Sequence, residues 1–207
     1  MIANVYIDGF NFYYGCVKDT PYRWLDFSKL FALTLQGHKI NRIRYFTALV
    51  NATRDDPQKR QRQQTYIRAL ETIPYLTVHF GHFLSNNVRM PLARPPNSGP
   101  RTVEVIKTEE KGSDVNLATQ LLVDGFRDDY ELAVLVTNDS DLVSPIEFVR
   151  AELNKKVGIL NPHKRVSHAL QQSADFNRSI RKGPIRASQF PVTLVDGKGT
   201  FHKPKGW

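Results

Sequence analysis

The chain has 207 residues, enough for one domain with a full core and a short appendage. Hydrophobic residues make up 41% and aromatic residues 11%, which excludes a globally disordered chain, and no apolar run approaches the ~20 residues needed to cross a bilayer. Lysine and arginine total 29 against 20 acids, a formal charge of +9 that suits a polyanionic partner, while the single Cys16 excludes an internal disulfide and a cysteine-built zinc site.

In chain order, Ala3 to Ile7 reads as a first strand, and Asp8-Gly9-Phe10-Asn11 turns it into a short aromatic helix, Phe12 to Val17. Phe12, Tyr13 and Tyr14 suit the core better than a base-stacking platform. Asp26-Phe27-Ser28 opens a helix reaching Gln36-Gly37, and Ile40 to Val50 is the second strand. Asp55-Asp56-Pro57 reads as an acidic cap with proline in the first turn, opening a helix to about Glu71. Its Tyr66, Ile67 and Leu70 can face the core, and Lys59, Arg60, Arg62 and Arg68 can face water or phosphate.

Leu76 to Leu84 is read as the third strand, with His79 and His82 on opposite sides and structural. Ser85 to Pro100 is read as a long loop, and Thr102 to Thr108 as an edge strand beside the third. A helix from Ser113 to Asp124 carries Val115, Ala118, Leu121 and Leu122 on one stripe. Tyr130 to Val136 is a buried strand, Leu142 to Leu153 a helix, Lys156 to Leu160 the last core strand, and Val166 to Gln172 a short helix. Beyond Ile180 basic residues mix with glycine and proline, giving residues 181–207 the look of a basic C-terminal arm, with strand from Phe190 to Val195. Strands alternating with helices specify an α/β fold with a mostly parallel sheet. The start of the sequence lacks the pattern of a secretory leader, so a cytoplasmic protein is expected.

The chemistry lies where apolar runs end in aspartate. Asp8 follows Val5-Tyr6-Ile7, Asp139 and Asp141 follow Leu132 to Val136, and Asp114 opens the helix after Lys111-Gly112-Ser113. Open α/β sheets bind ligands at the carboxyl edge of their strands. Carboxylates gathered there repel one another unless a cation lies between them. Each acid alone has a plainer alternative as a helix cap or turn residue. Taken together, those caps require several coincidences at one sheet edge. The pattern points to an oxygen-ligated divalent cation, Mg²⁺ or Mn²⁺, and so to phosphodiester chemistry. Asn11 can fix Asp8, Lys111 can pair with the acids or meet the scissile phosphate, and His163 lies on the same edge.

Three ordered motifs carry a family resemblance. Tyr6-Ile7-Asp8-Gly9-Phe10-Asn11, Lys111-Gly112-Ser113-Asp114-Val115 and Val136-Thr137-Asn138-Asp139-Ser140-Asp141-Leu142 resemble the signatures of the NYN domain family, a branch of the PIN-like nucleases of LabA/DUF88 type. The trailing Leu170 to Phe176 is similar as well, so the match spans about residues 1–180. The resemblance implies a three-layer PIN-like fold over 1–180, a parallel central sheet flanked by helices, and metal-dependent ribonuclease activity. It carries Asp8, Asp114, Asp139 and Asp141 over as metal-site acids, with Asn11 as their polar companion and Ser140 as a substrate contact. PIN-like enzymes often add an acid on a middle helix, where this chain offers only Glu71.

The expected function is hydrolysis of RNA, single-stranded or locally unpaired, by an Mg²⁺- or Mn²⁺-dependent endoribonuclease. Asp8, Asn11, Lys111, Asp114, Asp139 and Asp141 form its catalytic set, and Arg54, Lys59, Arg60 and Arg62 track the backbone with the C-terminal arm. Two alternatives stay open: a non-catalytic RNA-binding module with a residual metal site, and a phosphatase or nucleotidase for small substrates. The long loop and the arm are equally open to a protein partner or a second copy of the chain.

Overall fold

Six parallel strands form the centre of the protein. The computed structural model describes all residues 1–207. In chain order its elements are β1 (Ile2–Asp8), α1 (Gly9–Phe12) running into a π-helical turn (Tyr13–Val17), α2 (Phe27–Thr34), β2 (Lys39–Thr47), α3 (Lys59–Leu70) and β3 (Leu76–Phe80). Next come β4 (His82–Pro91), β5 (Thr102–Lys111), α4 (Ser113–Phe126), β6 (Leu132–Val136), a 3₁₀ turn (Ser140–Leu142), α5 (Val143–Ala151) and β7 (Lys156–Asn161). The chain finishes with α6 (His168–Ser173), β8 (Phe176–Ser179), α7 (Lys182–Ala187), β9 (Thr193–Asp196) and β10 (Gly199–His202). No helix is long and apolar enough to cross a membrane.

The sheet runs β3-β2-β1-β6-β7-β8, every neighbouring pair parallel. The chain winds outward from β1 to β3, then returns to β1's other side and winds outward again from β6 to β8. The direction reverses between β1 and β6, which is where an open parallel sheet leaves a crevice at its carboxyl edge. Alternation along the strands divides the core in two. Ala3, Val5 and Ile7 of β1 and Leu132, Val134 and Val136 of β6 pack on α2, α3 and α7. Tyr6, Ala133 and Leu135 face α4, α5 and α6 on the other side. The result is the three-layer α/β architecture that the strand and helix pattern specifies.

Several boundaries differ from the sequence reading. The third strand stops at Phe80, and Gly81 hands the chain to β4. A Cβ at Gly81 would strike the Glu110 carboxylate and the Lys111 carbonyl. Most of the expected loop from Ser85 is strand: β4 and β5 pair antiparallel from His82–Lys111 to Pro91–Thr102, forming a separate ribbon rather than an edge beside β3. Both of its faces meet water, so the two-residue alternation that betrays a half-buried strand is missing. Helix α3 begins at Lys59 instead of at the Asp-Asp-Pro cluster, and Asp56 is engaged by Arg62. His79 belongs to β3 and stacks on Phe46, while His82 opens β4.

Residues 181–207 fold back onto the domain. Ile185, Phe190 and Phe201 are buried in the same cluster as Trp24 and Tyr66. The Trp24 indole donates to the Pro191 carbonyl at 2.8 Å. Arg68 grips Asp196 with two hydrogen bonds, 2.8 and 2.7 Å, and also donates to the Gly199 carbonyl. The expected arm is thus a helix and a hairpin that complete one face of the core.

Arg68 holds the Asp196 carboxyl down at about 2. A folded-state value below the ordinary carboxylate range makes the pair stabilising above that range and silent below both values. Its contribution is lost as pH falls from about 4 toward 2. Urea unfolding across that window should therefore lose part of its pH dependence in Asp196→Asn. A profile identical to the wild type would show that the pair does not form.

Candidate metal centre and an adjoining aromatic cavity

At the crevice between β1 and β6, one open cavity is lined by Asp8, Asn11, Glu110, Asp114, Asp139 and His163, with Phe10, Tyr14 and Phe83 as its apolar walls. Four elements supply the acids. Asp8 is the last residue of β1, and its Oδ1 caps α1 by accepting the Asn11 amide at 2.9 Å. Its Oδ2 accepts the Thr137 hydroxyl at 3.3 Å. The Asn11 side chain accepts the Asn138 amide at 3.1 Å, tying the ends of β1 and β6 together. Asp139 follows β6 and caps the 3₁₀ turn through the Asp141 amide, 3.0 Å away. Asp114 stands in the first turn of α4. The cap geometry weighed against a shared site is real for Asp8 and Asp139, yet the same side chains still face one space.

The carboxylates feel one another. Burial pushes the Asp8 carboxyl up to about 6, with Asp114 and Asp139 adding repulsion against the hydrogen bonds of Asn11 and Thr137. Burial also raises Asp114, helped by Asp139, Glu110 and Asp141. Residues far apart in the chain thus share an electrostatic field, which a cation would relieve. Asp141 is exposed at the rim, within range of Asp114 but outside the lining, and Ser140 is exposed beside it.

Glu110 is the acid that sequence reasoning missed. Its Oε1 accepts the Ser113 amide and hydroxyl at 3.2 and 2.9 Å, bracing the start of α4. Gly112 makes the tight entry to that helix with φ of +97°. The alternation of β5 held the signal. Lys107, Glu109 and Lys111 share one face and form ion pairs there, leaving Glu110 on the other. This periodicity also corrects the expectation for Lys111, whose ammonium lies 3.5 Å from Glu109 and outside the acid cavity. Glu71, weighed as the extra acid, ends α3 away from these residues.

A second cavity, about 150 Å³, adjoins the first and shares Phe10 and Tyr14 with it. Tyr13, Tyr66 and Trp207 supply further aromatic wall, and Lys59, Arg62 and Arg23 stand around it against a single acid, Asp56. Of the expected backbone-tracking residues, Lys59 and Arg62 line this cavity, while Arg54 and Arg60 are exposed near it in sequence and outside its lining. Phe12 is buried in the core as expected, whereas Tyr14 is 56% exposed.

Comparison with known proteins agrees with this architecture. The model of the NYN domain matches residues 3–180. The 6-hydroxy-3-succinoylpyridine 3-monooxygenase HspA of Pseudomonas putida is 32% identical, over 99% of this chain and 75% of that protein. A crystal structure of a Vibrio parahaemolyticus protein of unknown function superposes with a TM-score of 0.56 at 18% identity, covering 87% of this chain and 93% of that one, a likeness of fold. The motifs, the parallel sheet and the family match agree: the chain belongs to the NYN domain family.

Proposed function

We propose that the protein is a divalent-metal-dependent endoribonuclease. The observation that carries this reading is the convergence of Asp8, Glu110, Asp114 and Asp139 from four elements on one cavity at the sheet's switch point, with Asp8 and Asp114 held above the usual carboxylate range. The donor set fits a hard cation, being all oxygen. No three of these groups are placed closely enough to grip one ion unaided. That spacing suits Mg²⁺ or Mn²⁺ held by one or two carboxylates with water and substrate phosphate completing the shell. Two of the three carboxylates of Asp8, Asp114 and Asp139 would hold the ion, with the third, Glu110 and Asp141 beside them. Bound there, the ion supplies Lewis acidity to the phosphodiester and a lowered pKa to water.

The chain's own residues do the positioning. Thr137 and the Asn11 amide lock both oxygens of Asp8, and Asn11 fixes the β6 end against β1. Glu110 holds the entry of α4, and with it Asp114. His163 reaches the same lining from the segment after β7, where it would meet the phosphate. Lys111, turned to the ribbon's outer face, neutralises Glu109 instead. Lys59 and Arg62, with Arg60 and Arg54 outside, offer the phosphate track, and unpaired RNA fits because its phosphate must descend to recessed acids.

Short single-stranded RNA should be cut with Mn²⁺ or Mg²⁺ and spared in chelator, and long RNA should outcompete a small phosphate ester. Binding without cutting under every metal condition would favour the non-catalytic module. Alanine at Lys59, Arg60 and Arg62 should lower the slope of log affinity against log salt by roughly 0.7 per lost phosphate contact. An unchanged slope would remove α3 from the track.

A second reading has its own support. The relative named as a 6-hydroxy-3-succinoylpyridine 3-monooxygenase aligns with nearly the whole chain, and the adjoining cavity joins aromatic walls to basic groups. Oxygenation of a heteroaromatic acid, with dioxygen as oxidant and a two-electron donor such as a reduced nicotinamide or flavin supplied to the assay so that the second oxygen atom leaves as water, is therefore the competing proposal. Turnover of that pyridine with no RNA cleavage would decide for it.

A further inference from the structure

We propose that the aromatic cavity beside the acids is a nucleotide subsite, taking one unstacked base against Tyr13, Tyr14, Tyr66 and Trp207 while Lys59 and Arg62 hold its phosphate. This deepens the nuclease reading and rests on it for the substrate class.

Shape comes first. At about 150 Å³ the cavity is well below the ~300–1,000 Å³ that engulfs a drug-sized molecule, so it admits a single flat ring. Its aromatic walls are already oriented. Trp207 meets Tyr66 at a centroid distance of 5.4 Å, and Tyr13 meets Tyr14 edge-on at 5.3 Å. The Tyr66 hydroxyl is satisfied by the Leu25 carbonyl at 2.9 Å, so Tyr66 presents ring and not a polar tip. Base stacking on such faces tolerates any sequence, because every base has a π-face.

Local backbone supports the same conclusion. Tyr13 to Val17 form a π-helical turn directly after α1. Such turns are rare and concentrate at functional sites. Here the turn leaves Phe12 buried and Tyr13 half-buried, with Tyr14 exposed between the two cavities.

Charge then selects the ligand. Arg23 is taken up by the Thr20 and Gly206 carbonyls. Arg62 pairs with Asp56, whereas the Lys59 ammonium, on a half-buried residue, makes no ion pair or hydrogen bond. Lys18 adds another cation 5.1 Å from the Tyr14 ring. One cavity is thus aromatic and cationic, the next is anionic, and Phe10 and Tyr14 are common to both. A nucleotide chain matches that order, with base and phosphate in the first and the neighbouring phosphate at the cation-binding acids.

Two tryptophans make the test direct. Trp24 is fully buried and Trp207 stands in the cavity wall, so ligand-dependent fluorescence reports on Trp207. In chelator, adenosine or uridine 5′-monophosphate should quench saturably, and inorganic phosphate alone should not. Tyr14→Ala should weaken that binding by about 10-fold or more through lost stacking. Lys59→Ala should weaken the monophosphate and leave the uncharged nucleoside unchanged. Tyr14 is exposed and the Lys59 ammonium has no partner to lose, and circular dichroism checks that each variant folds. Absence of quenching, an equal response to phosphate, or an undiminished affinity in Tyr14→Ala would overturn the subsite, as would tighter binding of nicotinate, a heteroaromatic carboxylate without ribose. RNA cleavage with no mononucleotide binding sinks the subsite alone. Mononucleotide binding with no cleavage supports the subsite and sinks the nuclease reading.

Discussion

Asp139→Asn should abolish metal-dependent RNA cleavage while leaving the fold intact. Asparagine keeps the carbonyl oxygen that caps the 3₁₀ turn through the Asp141 amide, and Asn caps about as well as Asp. What it loses is one negative charge in the shared cavity. Cation assistance is worth several kcal/mol, so the rate should fall on the order of 10²–10³-fold. Asp8→Asn should do the same, since it keeps an acceptor for the Asn11 amide and removes a carboxylate whose ionisation burial already opposes. With both residues serving the one ion proposed above, the double variant should be little worse than either single one. Single-turnover cleavage at saturating Mn²⁺, run beside thermal melts, reads both quantities. A variant that melts normally and cuts at the wild-type rate would remove these aspartates from catalysis.

Arg44→Met should destabilise the protein by about 3–5 kcal/mol, far from the candidate site. Arg44 on β2 forks onto Asp124 of α4 with hydrogen bonds of 2.6 and 2.7 Å, and the Tyr6 hydroxyl donates to the same carboxylate at 2.8 Å. The Asp124 side chain is only 2% exposed and that of Arg44 only 11%. Removing the guanidinium leaves a buried anion with Tyr6 as its remaining donor, the costly way to break such a pair. The Arg44 side chain also lies 3.3 Å from His79 Nε2, and together with burial it lowers that imidazole's pKa. For a chain of this size the melting temperature should drop roughly 6–20 °C. Arg44→Met combined with Asp124→Leu and Tyr6→Phe should recover most of the loss, because the Tyr6 hydroxyl depends on the same carboxylate and a buried network replaced as a unit costs little. A single variant within 1 kcal/mol of the wild type would mean that water reaches the carboxylate.

The parts of this protein that show in its sequence are those where local pattern and tertiary role coincide. Apolar runs ending in Asp8 and Asp139 mark strands buried on both faces, and the structure pairs those strands side by side. The Asp26 cap on α2 likewise matches its local signal. The stripe read on α4 is displaced: Leu121 is buried and Ala118 and Leu122 are partly buried, but Val115 is exposed and Leu117 enters the core in its place. The ribbon from His82 to Lys111 was hidden because neither of its faces packs on the core, leaving Asn and Pro to suggest a loop. Residues 181–207 were hidden by composition: abundant charge masks Ile185, Phe190 and Phe201, each inserted singly into the core. Glu110 was missed because its neighbour Glu109 pairs visibly with Lys107 and Lys111, and only the pleat of β5 separates the two roles. The cationic cavity could not be seen at all, since Tyr13, Lys59 and Trp207 meet only after the chain has closed.

The β4–β5 ribbon has a mechanical meaning. Its strands pair only with each other, and it meets the body at Gly81 and Gly112, which lie against one another at its base, and at Phe83, which packs edge-on against Phe10 at 5.8 Å. Glu110 belongs to the ribbon and Asp114 follows it by one helical step, whereas Asp8 and Asp139 are anchored in the sheet. The acidic cleft thus has one fixed jaw and one jaw mounted on a lever. The width of the cleft therefore follows where the ribbon stands relative to the sheet.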